Sequence, residues 1–461
     1  MSADVAASHS SPDAPLSWLA IVRLGLVQTA LGSVVVLMTS TINRVMIIEL
    51  ALPAFIPGLL VALHYGVQIL RPAWGFGADV GGRRTPWIIG GIAALALGGT
   101  GAAIATALCQ THLAFGLALA VSSFILVGMG VGAAGTSVLA LLATRVSPKR
   151  RAGAATTVWV MMIFGFALTA PLAGHFLDPF SNERLILVTA CVGGIAFVVA
   201  FLAIVGLEAK KSPRLRDAFQ ADTPRAKPAF KDAFGQVWKE PAAQRFTIFI
   251  FVSMLAYSAQ ELIIEPFAGI VFAMTPGATT KLAGVQHGGV LAGMLCVAFA
   301  ASAIGGRILG SLKVWTVGGC IASAVSLVAL AFTGLAGLTG FLKIAVFALG
   351  FSNGTFAVAA IGSMMGLAGS GTASREGTRM GLWGAAQALA FGLGGFSGTV
   401  AVDIFRHIFD VPVLAYSTVF FADAMLFLAS AWLAFNLNVL PRRDATNAAS
   451  LPSQTPLAAG T

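Results

Sequence analysis

Long apolar runs, separated by short stretches rich in Pro, Gly and charged residues, recur along the whole chain. A helix that crosses a bilayer needs about 20 predominantly apolar residues. Twelve runs meet that length, and they predict membrane helices at 18–48, 53–76, 86–108, 113–143, 154–177, 184–207, 246–273, 286–312, 314–338, 341–369, 380–404 and 412–439. The pattern therefore predicts an all-α polytopic membrane protein with twelve transmembrane helices.

One polar segment, 208–245, interrupts the pattern with nine basic residues, five acidic residues and four prolines. We interpret it as a cytoplasmic linker between an N-terminal six-helix bundle at 18–207 and a C-terminal six-helix bundle at 246–439. Residues 1–17 and 440–461 are predicted to be disordered cytoplasmic tails. Two six-helix pseudo-repeats of this kind are the architecture of the major facilitator fold.

The distribution of charge fixes the predicted orientation. The chain is 57% apolar and 10% charged, with a formal net charge of +10. A nucleic-acid partner is not predicted, because the basic residues lie between the spans and form no continuous face. With the linker and both termini in the cytoplasm, 23 of the 28 Lys and Arg residues fall on that side, as the positive-inside rule requires. The other five are Arg44, Arg184, Lys281, Lys343 and Arg406.

Sequence motifs of enzymes are absent: there is no P-loop, no zinc-protease or serine-hydrolase signature and no Asp-rich diphosphate-metal motif. The chain is therefore predicted not to be an enzyme, and neither a metal nor a nucleotide cofactor is predicted. The glycine pattern at 130–135 imitates a dinucleotide-binding loop, but no strand precedes it. Glycines four residues apart predict close helix packing instead, at Gly128 and Gly132 and at Gly394 and Gly398.

The connection after the second span carries a loop motif with the form G-x-x-x-D-x-x-G-R-R. Its residues are Gly75, Asp79, Gly82, Arg83 and Arg84. It resembles the loop 2–3 signature of the major facilitator superfamily, where the loop holds the cytoplasmic ends of the two halves together. Val80 replaces the basic residue that is common at that place.

His64, Tyr65 and Gln68 lie at membrane depth in the second span, and His64 and Gln68 share one helical face. A neutral imidazole is a possible axial ligand for a magnesium tetrapyrrole or part of a proton path. The alternative is a histidine that is hydrogen-bonded inside the bundle and has only a structural role.

Two acidic residues in span seven, Glu261 and Glu265, are predicted to stack one turn apart just before Pro266. Acidic groups inside a membrane are costly and therefore functional candidates. Arg44 in span one is predicted at a similar height, so a bridge from Arg44 to Glu265 would join the halves. Three interpretations stay open for these residues: a structural gate, proton or cation coupling, and contact with a pigment or partner.

Five stretches carry a more specific resemblance, at 43–50, 63–87, 173–180, 265–269 and 381–387. They resemble light-harvesting-complex assembly proteins of the PucC and LhaA type, the bacteriochlorophyll delivery branch of the major facilitator superfamily. Phe267 and Ala268 stand where that family often has Tyr and Gly.

The resemblance implies a protein of the inner or intracytoplasmic membrane of a photosynthetic bacterium. It would bind or deliver bacteriochlorophyll as cargo to antenna alpha and beta polypeptides, with His64, Tyr65 and Gln68 as pigment-binding candidates. The competing hypothesis is a proton-coupled secondary transporter of an amphipathic small molecule, with Glu261 and Glu265 as coupling sites. A pigment-synthesis enzyme is the third class. The sequence leaves the core and peripheral antenna equally open as clients.

Overall fold

The computed structural model describes residues 16–71, 74, 83–147, 150–208, 238, 240–300, 310–369 and 376–437. These residues form helices and short connections, and no strand occurs among them. Eleven helices in the described ranges are long and apolar enough to cross a membrane, and a shorter apolar helix spans Phe55–Leu70. The predicted all-α, polytopic architecture is confirmed.

The helices follow the chain in two sets of six. The first half contains α1 (Trp18–Ile48), α2 (Phe55–Leu70), α3 (Thr85–Leu108), α4 (Leu113–Arg145), α5 (Arg151–Phe176) and α6 (Asn182–Ile204). The second half contains α7 (Pro241–Glu261, continued by Ile264–Val271), α8 (Pro276–Ala300), α9 (Leu312–Leu335), α10 (Thr339–Gly369), α11 (Glu376–Ile408) and α12 (Pro412–Phe435). Within α1, residues Leu37–Ile42 form a π-helical bulge.

Each half packs around its own apolar core. Phe124 is fully buried in the first core, and Phe356 and Trp383 are fully buried in the second. A third, smaller cluster joins α5 of the first half to α8 and α10 of the second, through residues such as Ile163 and Met294. The halves also meet where α2 packs against α11, with Tyr65 stacked on Phe391.

Helix α8 begins at Pro276, well before the predicted start at 286. Thr275 caps it, because its hydroxyl accepts a hydrogen bond from the Ala278 amide at 3.2 Å, and Pro276 suits the first helical position. The segment looked like a loop because it is polar. The polar residues are in fact buried at the junction of the two halves, where Thr279 and Thr280 are fully inaccessible.

Helix α7 is interrupted at Leu262 and Ile263, so the predicted stacking of Glu261 and Glu265 on one continuous helix is wrong. Pro266 is the cause, because it has no amide proton for the Leu262 carbonyl and its ring clashes with that carbonyl in a regular helix. The carbonyl finds another donor: Asn43 Nδ2 in α1 hydrogen-bonds to it at 2.7 Å. A side chain of the first half thus completes a helix of the second.

The predicted loop motif is only partly visible, since Gly75, Asp79 and Gly82 lie outside the described residues. Arg83 is exposed, and Arg84 Nη1 donates to Thr144 Oγ1 at 2.7 Å. The start of α3 is capped by Glu208, which follows α6. Its carboxylate accepts the Arg84 and Thr85 amides at about 2.9 Å and the Thr85 hydroxyl at 2.8 Å. The ends of α3, α4 and α6 are therefore tied together within the first half.

Replacing Glu208 by Ala is expected to lower the free energy of unfolding by about 0.5–2 kcal/mol, the usual cost of a lost helix cap. The two amides would lose their acceptor and the negative charge at the start of α3 would disappear. Thermal unfolding of the detergent-purified protein measures the effect. Asp410→Ala is the control, because Asp410 is exposed between α11 and α12. Equal melting temperatures for the two variants would contradict the capping role.

Candidate functional site

A cavity lies between the two halves and is lined by four helices of each: α1, α2, α4 and α5, and α7, α8, α10 and α11. Its empty volume is about 1370 Å³, counting the part that opens to the outside. Helix α6 ends and α7 begins at the same end of the protein, which we call the linker end. The lining residues lie at mid-membrane and toward that end, as Gln28, Gly135, Trp159, Ile361 and Gly384 illustrate.

Aromatic side chains of both halves form one wall of the cavity. Tyr65 of α2 stacks on Phe391 of α11, with ring centroids 5.3 Å apart and an interplanar angle of 23°. Tyr257 of α7 meets the same Phe391 edge to face at 5.7 Å. Small-molecule and cofactor sites typically have apolar walls with few polar anchors. The arrangement suits a large, flat and apolar ligand.

His64 is held by a chain of hydrogen-bonded side chains from α2 and from Arg71, which directly follows it. Arg71 Nη2 donates to Gln68 Oε1, and Gln68 Nε2 lies 3.1 Å from His64 Nε2. Because arginine only donates, the Gln68 oxygen must face Arg71 and its amide group must donate to His64. His64 Nε2 is then an acceptor, and the proton of the neutral ring is on Nδ1. Among the described residues Nδ1 has no hydrogen-bond partner.

A second buried histidine, His287 of α8, was missed in the sequence because it lies at the predicted start of its span. Its Nδ1 lies 2.9 Å from the Ala283 carbonyl, and its Nε2 lies 3.9 Å from Glu261 Oε1. Phe166 of α5 packs edge to face on the imidazole at 4.8 Å. Glu261 and Phe166 line the cavity, whereas His287 is buried behind them and does not line it. The signal in the sequence that could have identified this histidine is the polar pair Gln286 and His287 directly before an apolar run.

Arg44 does not form the predicted ion pair with Glu265. Its Nη1 pairs with Glu49 Oε1 in the same helical region, and its Nη2 donates to the Met274 carbonyl of the second half at 2.8 Å. Glu265 is buried near the hydroxyls of Ser40 and Thr279, although neither completes a hydrogen bond to it. Arg44 therefore joins the halves through a backbone carbonyl, and Glu49 supplies its counter-charge.

Several polar contacts close the end of the protein opposite the linker end. Asp403 of α11 accepts the Ala54 and Phe55 amides at the start of α2, at 3.0 and 2.7 Å. The Thr41 and Thr280 hydroxyls are 3.0 Å apart. Together with the Asn43 and Arg44 contacts, these bonds connect the described parts of the two halves at the end of the cavity opposite the linker end. The described residues therefore present a cavity that is sealed opposite the linker end.

Replacing Asn43 by Ala is expected to lower the free energy of unfolding by about 1–3 kcal/mol, because it leaves the buried Leu262 carbonyl without a donor. Asn436→Ala is the matched control. Asn436 is exposed, and its amide bonds only to the Trp432 carbonyl of its own helix. Thermal unfolding in one detergent compares the two variants. An unchanged melting temperature for Asn43→Ala would mean that water replaces the lost donor.

Comparisons with known proteins agree on family and fold. The sequence profile of a family described as PUCC protein matches residues 41–441. A Rhodobacter capsulatus protein named bacteriochlorophyll synthase 44.5 kDa chain is 53% identical over 420 residues, covering 91% of this chain and 95% of its own length. Protein PucC of Rhodobacter capsulatus is 30% identical over 462 residues, covering 95% of each chain.

The solved structures extend the comparison to the fold. The nucleoside transporter NupG has a TM-score of 0.61 at 13% identity, covering 91% of this chain and 98% of that one. A bacterial homologue of the human lysosomal transporter Spinster, inward-facing and unoccupied, has a TM-score of 0.62 at 15% identity, covering 91% and 96%. The predicted major facilitator fold is confirmed.

Proposed function

The chain belongs to the PUCC protein family, and from this membership and its cavity we propose that it is an assembly factor for bacterial light-harvesting antenna complexes. It binds bacteriochlorophyll within the membrane and delivers it to antenna polypeptides. The relative with 53% identity carries bacteriochlorophyll in its name, and the apolar cavity supplies a place for such a pigment.

The observation that carries the proposal is the chemistry of the cavity wall. A tetrapyrrole is a broad apolar disc with a few polar substituents, and it needs an apolar cleft with few, well-placed polar groups. Tyr65, Tyr257 and Phe391 supply flat surfaces from both halves, while His64 and Glu261 supply polar anchors. A hydrophilic solute would find few partners among these side chains.

The proposed partners are the antenna alpha and beta polypeptides, which lie in the same inner or intracytoplasmic membrane. Large apolar side chains cover the outer surface of the described helices, among them Leu97, Leu187, Ile195 and Phe299. This surface faces the lipid bilayer. Delivery of a pigment to small membrane polypeptides can then take place without passage through water.

We assign this protein no catalytic step, although a relative is named a synthase chain. The polar groups at the cavity wall serve in this proposal as ligand anchors. An enzyme of pigment synthesis would instead convert the ligand that it binds. The two roles are distinguished by what accumulates when the protein is removed.

A proton-coupled transporter of an amphipathic small molecule is the second candidate. Glu261 at the cavity wall favours it, as does the seal at one end, since both are expected of alternating access. Proteoliposomes that contain the purified protein would then take up such a molecule in response to a pH gradient. Glu261→Gln would abolish that uptake, whereas pigment handling requires no gradient.

The proposal is tested in a photosynthetic host with the gene deleted and then restored. We expect the deletion strain to lose antenna absorption bands while it still makes bacteriochlorophyll, and the full-length protein purified in mild detergent to retain that pigment. Accumulation of a pigment precursor would instead indicate an enzyme. Normal antenna bands, or a purified protein without pigment, would contradict the proposed function.

A further inference from the structure

Arg71 is the one Lys or Arg among the described residues that line the cavity. We propose that its guanidinium binds a free carboxylate at the edge of the bound tetrapyrrole. The cavity then takes up the pigment in its acid form, before a long-chain alcohol is esterified to that group. This inference rests on the proposed function and names the chemical form of its ligand.

The guanidinium of Arg71 has donors that no described residue uses. Its Nη2 donates to Gln68 Oε1, whereas its Nε is buried without a hydrogen-bond partner. The ion pairs formed among the described residues do not include Arg71. Arginine stays charged in proteins, and a charge inside a membrane protein is costly unless it is paired. The partner that this position lacks is therefore an anion.

A carboxylate is the anion that matches this donor group. The N–H groups of arginine form a rigid planar fork, which can bind both oxygens of a carboxylate. The bond from Nη2 to Gln68 holds the guanidinium in place, so its remaining donors are oriented before a ligand arrives. A neutral ester offers a carbonyl oxygen but no charge, and hydrogen bonds to charged groups are the stronger kind. Arg71 should therefore favour the free acid over its esters.

Arg71 lies at one edge of the aromatic wall. Helix α2 begins opposite the linker end, and Arg71 follows Tyr65 by six residues, or about 9 Å along the axis toward the linker end. The Tyr65 hydroxyl and the guanidinium are close enough to interact electrostatically. A side chain at this place is beside a ring that lies on the wall. It can therefore bind a substituent on the edge of the ring.

The acidic residue of the lining, Glu261, lies beyond the opposite edge of the wall. Helix α7 begins at the linker end, so Glu261 is one turn beyond Tyr257 in the direction away from that end. The stacked rings of Tyr65 and Phe391 and the ring of Tyr257 lie between the two charged groups. A ligand with one carboxylate on its edge is thus oriented, with its acidic edge toward the linker end.

A carboxylate ligand places this chain before an esterification. The esterified pigment carries a long alkyl group on the carboxylate, so another enzyme must transfer that group from an activated donor to the carboxylate oxygen, with loss of the leaving group of the donor. The new ester has no charge for Arg71 to bind. The finished pigment is then held less tightly, which favours its release to the antenna polypeptides.

The test compares the free acid of bacteriochlorophyll with its methyl ester, which differs by one charge and one methyl group. Each is titrated near neutral pH into the purified full-length protein, and binding is followed by the shift of the pigment absorption bands. We expect the wild-type protein to bind the acid about tenfold more tightly or better. Arg71→Gln should remove this preference by weakening the acid and leaving the ester unchanged. Arg406→Gln is the matched control, because Arg406 is exposed near the end of α11 and does not line the cavity.

Arg71→Met keeps most of the side-chain length without the charge and replaces the Gln variant if that variant fails to fold. Dodecanoate carries a carboxylate without a ring and should not displace the acid. Its displacement of the acid would assign Arg71 to fatty acids and overturn the inference. Equal binding of acid and ester, or a preference that survives in the Arg71 variants, would also overturn the inference alone. Binding of neither the acid, the methyl ester nor bacteriochlorophyll itself by the wild-type protein would refute the proposed function as well.

Discussion

The Gly135→Phe variant is expected to fold normally and to lose bound pigment at least about tenfold, a loss of about 1.4 kcal/mol or more in binding. Gly135 lines the cavity from α4, and no neighbouring side chain or helix among the described residues comes within 4 Å of the position that a Cβ would take. The helix can therefore accept a Cβ there without moving. A phenyl ring at this position would project into the space proposed for the tetrapyrrole.

A matched control separates obstruction from destabilisation. Gly194 of α6 also has open space at its Cβ position, but it is exposed on the outer surface and does not line the cavity. Gly194→Phe should melt like Gly135→Phe and keep its pigment. Gly384→Phe blocks the cavity from α11 in the same way and should reproduce the loss. Pigment retained by both cavity variants would place the binding site elsewhere.

The helices were largely predictable because lipid imposes one simple requirement, a long apolar run for each span. Prediction was poorest where polar residues are buried between the halves. The start of α8 was missed because Thr279 and Thr280 resemble loop residues until the partner surface is known. The break in α7 could have been anticipated from Pro266, but the donor that compensates for it, Asn43, is more than 200 residues away.

The candidate site was predictable only where its contacts are local. The contact between His64 and Gln68 follows from their spacing on one helix, and it is confirmed at 3.1 Å. The ion pair expected for Arg44 was wrong because a carboxylate five residues along the chain, Glu49, is the nearer partner. His287 and Glu261 come from different helices, so neither their proximity nor the orientation of the imidazole could be read from the sequence.

Two pairs of glycines hold α8 against α10, and the sequence search for such pairs did not single them out. A Cβ at Gly289 would lie 2.4 Å from the Phe347 carbonyl oxygen, and one at Gly350 would lie 2.0 Å from the Gln286 carbonyl oxygen. One turn along each helix, Gly293 and Gly354 repeat the arrangement. Backbone atoms of the two helices are therefore in direct contact, as in other small-residue helix pairs in membranes.

Gly350→Ala and Gly289→Ala are each expected to lower the free energy of unfolding by about 3 kcal/mol, the upper part of the range for overpacking. The added methyl group meets backbone, which cannot move away as a flexible side chain would. Thermal unfolding and the yield of monodisperse protein measure the effect. The helices would have to separate, and His287 on α8 would move with them.

Gly288→Ala provides a sharp control because Gly288 is the immediate neighbour of Gly289. No neighbouring side chain or helix among the described residues comes within 4 Å of the position that a Cβ at Gly288 would take. Alanine favours a helix over glycine by up to about 1 kcal/mol, so this variant should be neutral or more stable. The same substitution at adjacent positions should then change the free energy of unfolding in opposite directions. Only the contact between α8 and α10 distinguishes the two positions. If both variants melt alike, the two helices are not in backbone contact at Gly289.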